Sequence, residues 1–230
     1  MKIFALSDLH LSITVEKPMD IFGGNWENYM DKIKANWQKI VSDEDLILIS
    51  GDLSWAMRIE EFERDLDFFK DLPGKKIFIK GNHDYWWKSI SAVRKILPSD
   101  MFALQYDAIR FNGVVLCGTR GWDLPNNESS EHDLKIYNNE VLRLEMALKD
   151  GKRKLESGDK FILMLHYPPF TKNSRDNELM KLIKDYKVDA VVYGHIHNQF
   201  VNRIYEEIEG CRYYLTSCNL LDNMPIEIVI

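Results

Sequence analysis

Six short apolar runs, Lys2–Leu6, Leu46–Ile49, Ile77–Ile79, Val114–Leu116, Phe161–Leu165 and Ala190–Tyr193, are spread along the 230-residue chain. Runs of this length that are apolar throughout and partly β-branched are the pattern of strands buried on both faces. Between several of them lie segments with helical periodicity: Trp26–Val41, Ile59–Leu72 and Ile136–Leu148, where Ile136, Val141, Leu144 and Leu148 share one face. Strands alternating with helices predict an α/β core. Nearer the end, "FVNRIYEEIEGCRYYLTS" reads as a hairpin turning at Glu209 and Gly210, followed by a last strand from Ile226 to Ile230, so antiparallel pairing is expected in the second half.

No repeat, low-complexity tract or flexible linker interrupts this pattern, which predicts a single domain over residues 1–230. The charged stretch "LKDGKRKLESGDK" reads as a solvated helix end and loop, and "DLPNNESSE" as a polar connection. "MKIFAL" stops at Ser7 and Asp8, too soon for a signal-peptide core, and the other apolar runs are too short to span a bilayer. Three cysteines without C-x-x-C spacing argue against a disulfide framework or a thiolate zinc site, so a cytoplasmic protein with buried free thiols is expected. A net charge of -6 gives no general attraction to nucleic acid or an anionic membrane, a local basic groove aside, and no heptad or exposed apolar run fixes the oligomeric state.

The residues directly after these runs are more specific. The strand ends read "SDLH", "SGDL", "KGNHD", "HYPP" and "YGHIH", and they collect five of the six histidines; only His132, at an expected helix start, lies elsewhere. In open α/β sheets, ligands bind outside the carboxyl ends of the strands, so these segments should converge. In extended backbone, residues two apart face the same way, which would pair Asp8 with His10 and His195 with His197 as ligands. Imidazole, carboxylate and amide oxygen suit divalent Mn, Fe, Ni or Zn. Seven donor residues exceed one tetrahedral ion, whereas two ions bridged by Asp52 would use them economically. Two divalent ions against two carboxylates leave about two positive charges, enough to hold a phosphate and a hydroxide, so the expected substrate is a small phosphorylated molecule.

Taken in order, D-x-H, G-D, G-N-H-D, H and G-H-x-H resemble the motifs of the calcineurin-like metallophosphoesterase superfamily, from Asp8 to His197. The resemblance implies a four-layer αββα sandwich of two mixed β-sheets flanked by helices. It implies that Asp8, His10 and His197 bind one metal, that Asn82, His166 and His195 bind the other, and that Asp52 bridges them, with manganese the favoured ion. A metal-bridging hydroxide would attack phosphorus, and His83 would stabilise the phosphoryl group or protonate the leaving oxygen. Asp84 would orient its loop. One departure is visible: protein phosphatases of the family read GDxxDRG, whereas "GDLSWAMR" puts Trp55 at that aspartate and weakens a protein-phosphatase reading.

Arg58 and Arg120 are candidates to clamp a substrate phosphate, with packing or surface roles as the alternative. Trp55, Trp86, Trp87 and Trp122 lie beside these segments and are expected in cores rather than on a base or sugar. Met146 is expected in a core-facing stripe. The leading expectation is a hydrolase of phosphomonoesters or phosphodiesters. A nuclease is the first rival, disfavoured by the acidic balance. A UDP-sugar-lipid pyrophosphate hydrolase is a second, and a non-catalytic scaffold of the same fold a third, disfavoured because every ligand position is filled.

Overall fold

The computed structural model describes residues 1–230 except 18, 173 and 198–203. The chain runs β1 (Ile3–Ala5), α1 (Tyr29–Ile40), β2 (Leu46–Ile49), α2 (Ile59–Asp65), β3 (Lys75–Ile79), α3 (Ile90–Ile96), β4 (Met101–Leu104), β5 (Asp107–Phe111), β6 (Val114–Thr119), α4 (Glu131–Lys154), β7 (Lys160–Leu165), α5 (Glu178–Asp185), β8 (Ala190–Tyr193), β9 (Tyr205–Ile208), β10 (Cys211–Leu215) and β11 (Ile226–Glu227). One sheet has the order β11-β1-β2-β3-β4, the other β5-β6-β7-β8-β10-β9. Both are mixed. β1 to β4 pair in parallel and so do β6, β7, β8 and β10, while β11, β5 and β9 add antiparallel edges.

Strand alternation sorts the side chains into three apolar layers. Ile47, Ile49 and Phe78 face outward from the first sheet onto Ile33 and Trp37 of α1 and Phe62 of α2. Leu48, Ile77 and Ile79 face the other way, onto Leu116, Ile162, Met164 and Val192 of the second sheet. Beyond it, Val115, Phe161 and Leu163 pack under Leu144 and Leu148 of α4 and Ile183 of α5. Each fully buried Leu or Ile contributes roughly 1.5–3 kcal/mol over exposure. The expected α-β-β-α layering therefore forms, and its interior leaves polar groups to the strand ends.

All six expected strands are present, as are the turn at Glu209 and Gly210, both at positive φ, and a shortened last strand. Residues 200–203 of the expected hairpin lie outside the described residues. The three cysteines are buried and unpaired. β4, β5, α3 and α5 are not among the elements the sequence pattern predicts. For β5 the signal was present: Asn112-Gly113 is a two-residue turn with both residues at positive φ, joining Phe111 to Val114. The helix expected at Ile136–Leu148 extends from the Ser130 N-cap to Lys154, because Gly151 is buried against Phe161. The Ile59–Leu72 helix tightens after Asp65 into a 3-10 turn that buries Leu66, Phe68 and Phe69. Met146 is exposed, not in the stripe; Leu144, Ala147 and Leu148 take the core side of α4. Among the described residues no helix is long and apolar enough to cross a membrane.

The sheets meet at the carboxyl ends of their strands. Beyond β1, Ser7 donates its N–H to Thr216 O at 2.7 Å, just past β10, and Ser50 Oγ, past β2, donates to Val192 O at 3.0 Å. These bonds tie the loops after β1 and β2 to the second sheet.

Candidate metal centre

Five loops bring their polar residues to this junction, but not through extended backbone. Asp8, His10, Asp52 and His195 all have positive φ, at 58°, 44°, 53° and 71°. The D-x-H and H-x-H pairs therefore converge through sharp left-handed turns rather than through strand alternation. Asp and His tolerate this region better than most residues, and such strain collects at functional sites. The glycines before the polar residues permit the close approach: a Cβ on Gly81 would sit 2.1 Å from Asp52 Oδ1, and one on Gly194 2.2 Å from Asp8 Oδ2.

Asp8, His10 and His197 form one group, with their ligand-type atoms all within 4.8 Å of one another, and Asp8, Asp52 and His166 form a second. Asp8 thus belongs to both. His166 Nδ1–H donates to Ser50 O at 2.8 Å, which leaves Nε2 with a lone pair 2.5 Å from Asn82 Oδ1 and 3.5 Å from Asp52 Oδ2. His195 Nδ1 lies 3.0 Å from the same Asn82 oxygen. On the other side, His197 Nδ1–H donates to Asn219 Oδ1 at 2.8 Å and Nε2 lies 3.6 Å from Asp8 Oδ1. His10 Nε2 is 3.7 Å from Asp52 Oδ2. At His166 and His197 a bare Nε2 thus faces amide or carboxylate oxygen. Among the described residues, buried Asp52 Oδ2 and His10 Nδ1 have no hydrogen-bond partner. Oxygen and imidazole acceptors crowded without donors are what a divalent cation resolves, so the residues fit metal ions.

The electrostatics agree. Burial, then the neighbouring Asp84 and Asp8, push Asp52 well above the usual carboxylate range; burial raises Asp8 to about 6 despite the pull of His197. Burial lowers His195 to about 4, and burial with neighbouring imidazoles holds His10 and His166 well below their ordinary value. His195, His10 and His166 are therefore neutral at pH 7, the form that ligates metal. His83 lies at the mouth, its N–H donating to Asp52 Oδ1 at 2.8 Å and its ring 4.7 Å from Trp55. Burial, then Lys17 and His197, lower its pKa.

Asp84 is the organiser. It is fully buried, and its carboxylate accepts the N–H groups of Gly81, Asp52 and Leu53 at 2.7–2.9 Å, that of Ser54 at 3.3 Å, and the Trp86 indole at 3.1 Å. It thereby locks the G-D loop against the G-N-H-D loop.

Sequence reasoning missed several participants. Tyr29 donates from α1 to His10 O at 2.5 Å; Ser217 Oγ donates to Asp8 Oδ2 at 2.9 Å; Asn219 fixes His197. The last two lie just past β10, where "TSCN" at a strand end repeats the pattern of the other five. Lys17 stands 3.5 Å over the Trp55 ring, which stacks 4.8 Å from His10, and Tyr167 lies 4.1 Å from His195. Trp86 and Trp87 are buried. His132 is exposed at the start of α4. Arg58 is exposed at the N-terminus of α2, whereas Arg120 packs over Trp122 at 4.6 Å and its carbonyl accepts the N–H groups of His166 and Tyr167.

The family model for calcineurin-like phosphoesterases matches residues 1–199. A probable cyclic nucleotide phosphodiesterase of Coxiella burnetii is 24% identical over 87% of this chain and 77% of its own. A 3′,5′-cyclic-nucleotide phosphodiesterase of Nostoc is 24% identical over 87% and 73%. Among solved structures, TT1561 of Thermus thermophilus superposes with TM-score 0.60 at 14% identity, covering 98% of this chain and 97% of that one. Phosphopantetheinyl hydrolase of Mycobacterium tuberculosis gives 0.56 at 14% identity, covering 99% and 95%. With the family match spanning most of the chain and the strand-end residues gathered as described, this protein belongs to the calcineurin-like phosphoesterases, metal-dependent hydrolases of phosphoester bonds.

Proposed function

We propose that the protein is a two-metal phosphodiesterase acting on a small-molecule or nucleotide substrate, with residues 1–230 forming one catalytic domain. The observation that carries this reading is the convergence of carboxylate, amide and imidazole groups on Asp52, whose Oδ2 is buried and without a hydrogen-bond partner among the described residues. Asp8, His10 and His197 would hold one divalent cation and Asn82, His166 and His195 the other, with Asp52 between them. Bound there, the cations supply Lewis acidity toward phosphoryl oxygens and acidify water. His83, at the mouth beside Trp55, faces the leaving group; a docked phosphoester anion raises its depressed pKa and lets it donate a proton to the departing oxygen. Ser50 and Asn219 fix the tautomers of His166 and His197 so that Nε2 faces inward. The diester preference is supported by the relatives named as cyclic nucleotide phosphodiesterases. The test is hydrolysis of bis-p-nitrophenyl phosphate and p-nitrophenyl phosphate by manganese-loaded protein. Faster diester turnover, abolished in Asp52→Asn, is expected; turnover of neither ester, with metal bound, overturns the proposal.

A further inference from the structure

Beside the metal centre lies a second feature that the hydrolytic reading does not use. A cavity of about 220 Å³ is lined by Lys80, Lys88, Arg120, Arg143, Glu140 and Tyr106, among others. Four cations meet one carboxylate there, in a chain whose net charge is -6. The carboxylate is already engaged. Glu140, 1% exposed, accepts Thr119 Oγ1–H at 2.7 Å and Gly121 N–H at 3.0 Å, and pairs with Arg143 at 2.6 Å. Among the described residues, no carboxylate lies within 4 Å of Lys80, Lys88 or Arg120.

The pocket is built rather than incidental. Glu140 grips the residues on both sides of Arg120, and Arg120 O accepts from His166 and Tyr167 at 2.9 and 3.0 Å, so the Arg120 backbone is braced from two directions. Arg143 is held by Glu140 and lies 4.9 Å over the Tyr106 ring. Lys80 Nζ donates to Trp87 O at 3.1 Å, which fixes its stem. The pocket also adjoins the centre through the chain: Lys80 precedes Asn82 by two residues, about 7 Å of backbone, and Arg120 hydrogen-bonds directly to the His166 backbone. Its volume is below the ~300–1,000 Å³ of drug-sized ligand sites and suits a compact anion. Clustered lysine and arginine match phosphate, which accepts both point charges and bidentate guanidinium contacts.

We infer that this pocket is a phosphate subsite, and that the substrate carries a second phosphate group besides the ester that is cleaved. The inference rests on the hydrolase reading for the first phosphate but is tested independently of it. Inorganic phosphate is titrated calorimetrically into the full-length, metal-loaded protein and again after chelation. Two binding sites are expected before chelation and one after it. The site that survives weakens at least tenfold in Lys88→Gln/Arg120→Gln, while Arg120→Lys keeps it within a few-fold. Lys88 is exposed, so Lys88→Gln alone provides a folded variant, expected to weaken the same site several-fold. Loss of all phosphate binding on chelation, a surviving site indifferent to these substitutions, or equal binding of acetate overturns the phosphate subsite. Absence of ester turnover with the surviving site intact overturns the hydrolase reading instead and supports the pocket as a phosphate site.

Discussion

The candidate centre has a floor and a rim, and the two are built by different means. Asp8, His10, Asp52 and His166 form the floor, each at most 3% exposed, while Asn82, His83, His195 and His197 form a half-buried rim. The floor keeps acceptor atoms without donors, carboxylates with raised pKa values and three residues at positive φ. It is a place the fold tolerates only because surrounding contacts over-determine it. At the rim, His197 is tied by Asn219, and the His83 imidazole keeps one ring nitrogen free of hydrogen-bond partners among the described residues. The difference singles out His83, the one rim residue outside the proposed ligand set, so a substitution there should fail in a different way from one at a ligand.

Apart from Asp52→Asn, the largest effect is expected at His83 on the rim. His83→Asn should lower kcat for bis-p-nitrophenyl phosphate by about 10²–10⁴-fold, the range for loss of a positioned acid. Manganese affinity should stay close to wild type, because the side chain of His83 is not among the converging acceptors. A parallel loss of metal, measured by calorimetry, would place His83 among the ligands and remove that difference.

A smaller effect, on stability and metal affinity together, is expected at Asp84. Asn there keeps the shape but turns an amide N–H₂ toward backbone donors that the carboxylate now satisfies. Leaving such buried donors unmet costs roughly 1–3 kcal/mol, and displacing outer support of this kind lowers metal affinity by about 10–100-fold. Thermal unfolding of the chelated protein together with manganese titration checks both. An Asp84→Asn variant with wild-type melting and affinity would show that the loops hold their geometry without it.

The same contrast explains how much was legible in the sequence. The strands are readable because each is an unbroken apolar run, and the floor and rim residues because they stand directly after those runs. What the letters do not carry is how the residues turn inward: the spacing in D-x-H suggests an extended backbone, and the fold uses left-handed turns instead. Asp84 is expected to orient its loop, but its reach to Leu53 and Ser54 depends on two strands being neighbours. Ser217 and Asn219 escape notice because their loop holds no histidine, although it ends a strand as the others do. Met146 is misplaced because its neighbours on α4 carry the buried face. The cationic pocket draws its residues from β3 to α4, and of these only Arg120 stands out in the sequence as a candidate.

The last expected effect concerns protons on the floor. In the metal-free protein the Asp8 carboxyl, raised by burial to about 6, keeps its proton below that pH, and Asp52 is shifted in the same direction. A cation binding at low pH must displace that proton, so affinity should fall by about tenfold per pH unit and per proton as pH drops from 6 toward 4. His195, His10 and His166 do not add to this trend in the same window, since His195 is held at about 4 and His10 and His166 are held well below their ordinary value. Folding stability is a poorer readout than metal binding. The raised Asp8 pKa makes its stabilising contribution fully present below about 4 and lost as pH rises through 6, whereas the depressed His195 pKa acts in the opposite sense between 6.5 and 4. Manganese titrations in two buffers of different ionisation enthalpy, at pH 5 and pH 7, should therefore show more proton release at pH 5. Equal release and equal affinity at the two values would mean that the floor carboxylates are already ionised without metal, and that the floor is no more strained than the rim.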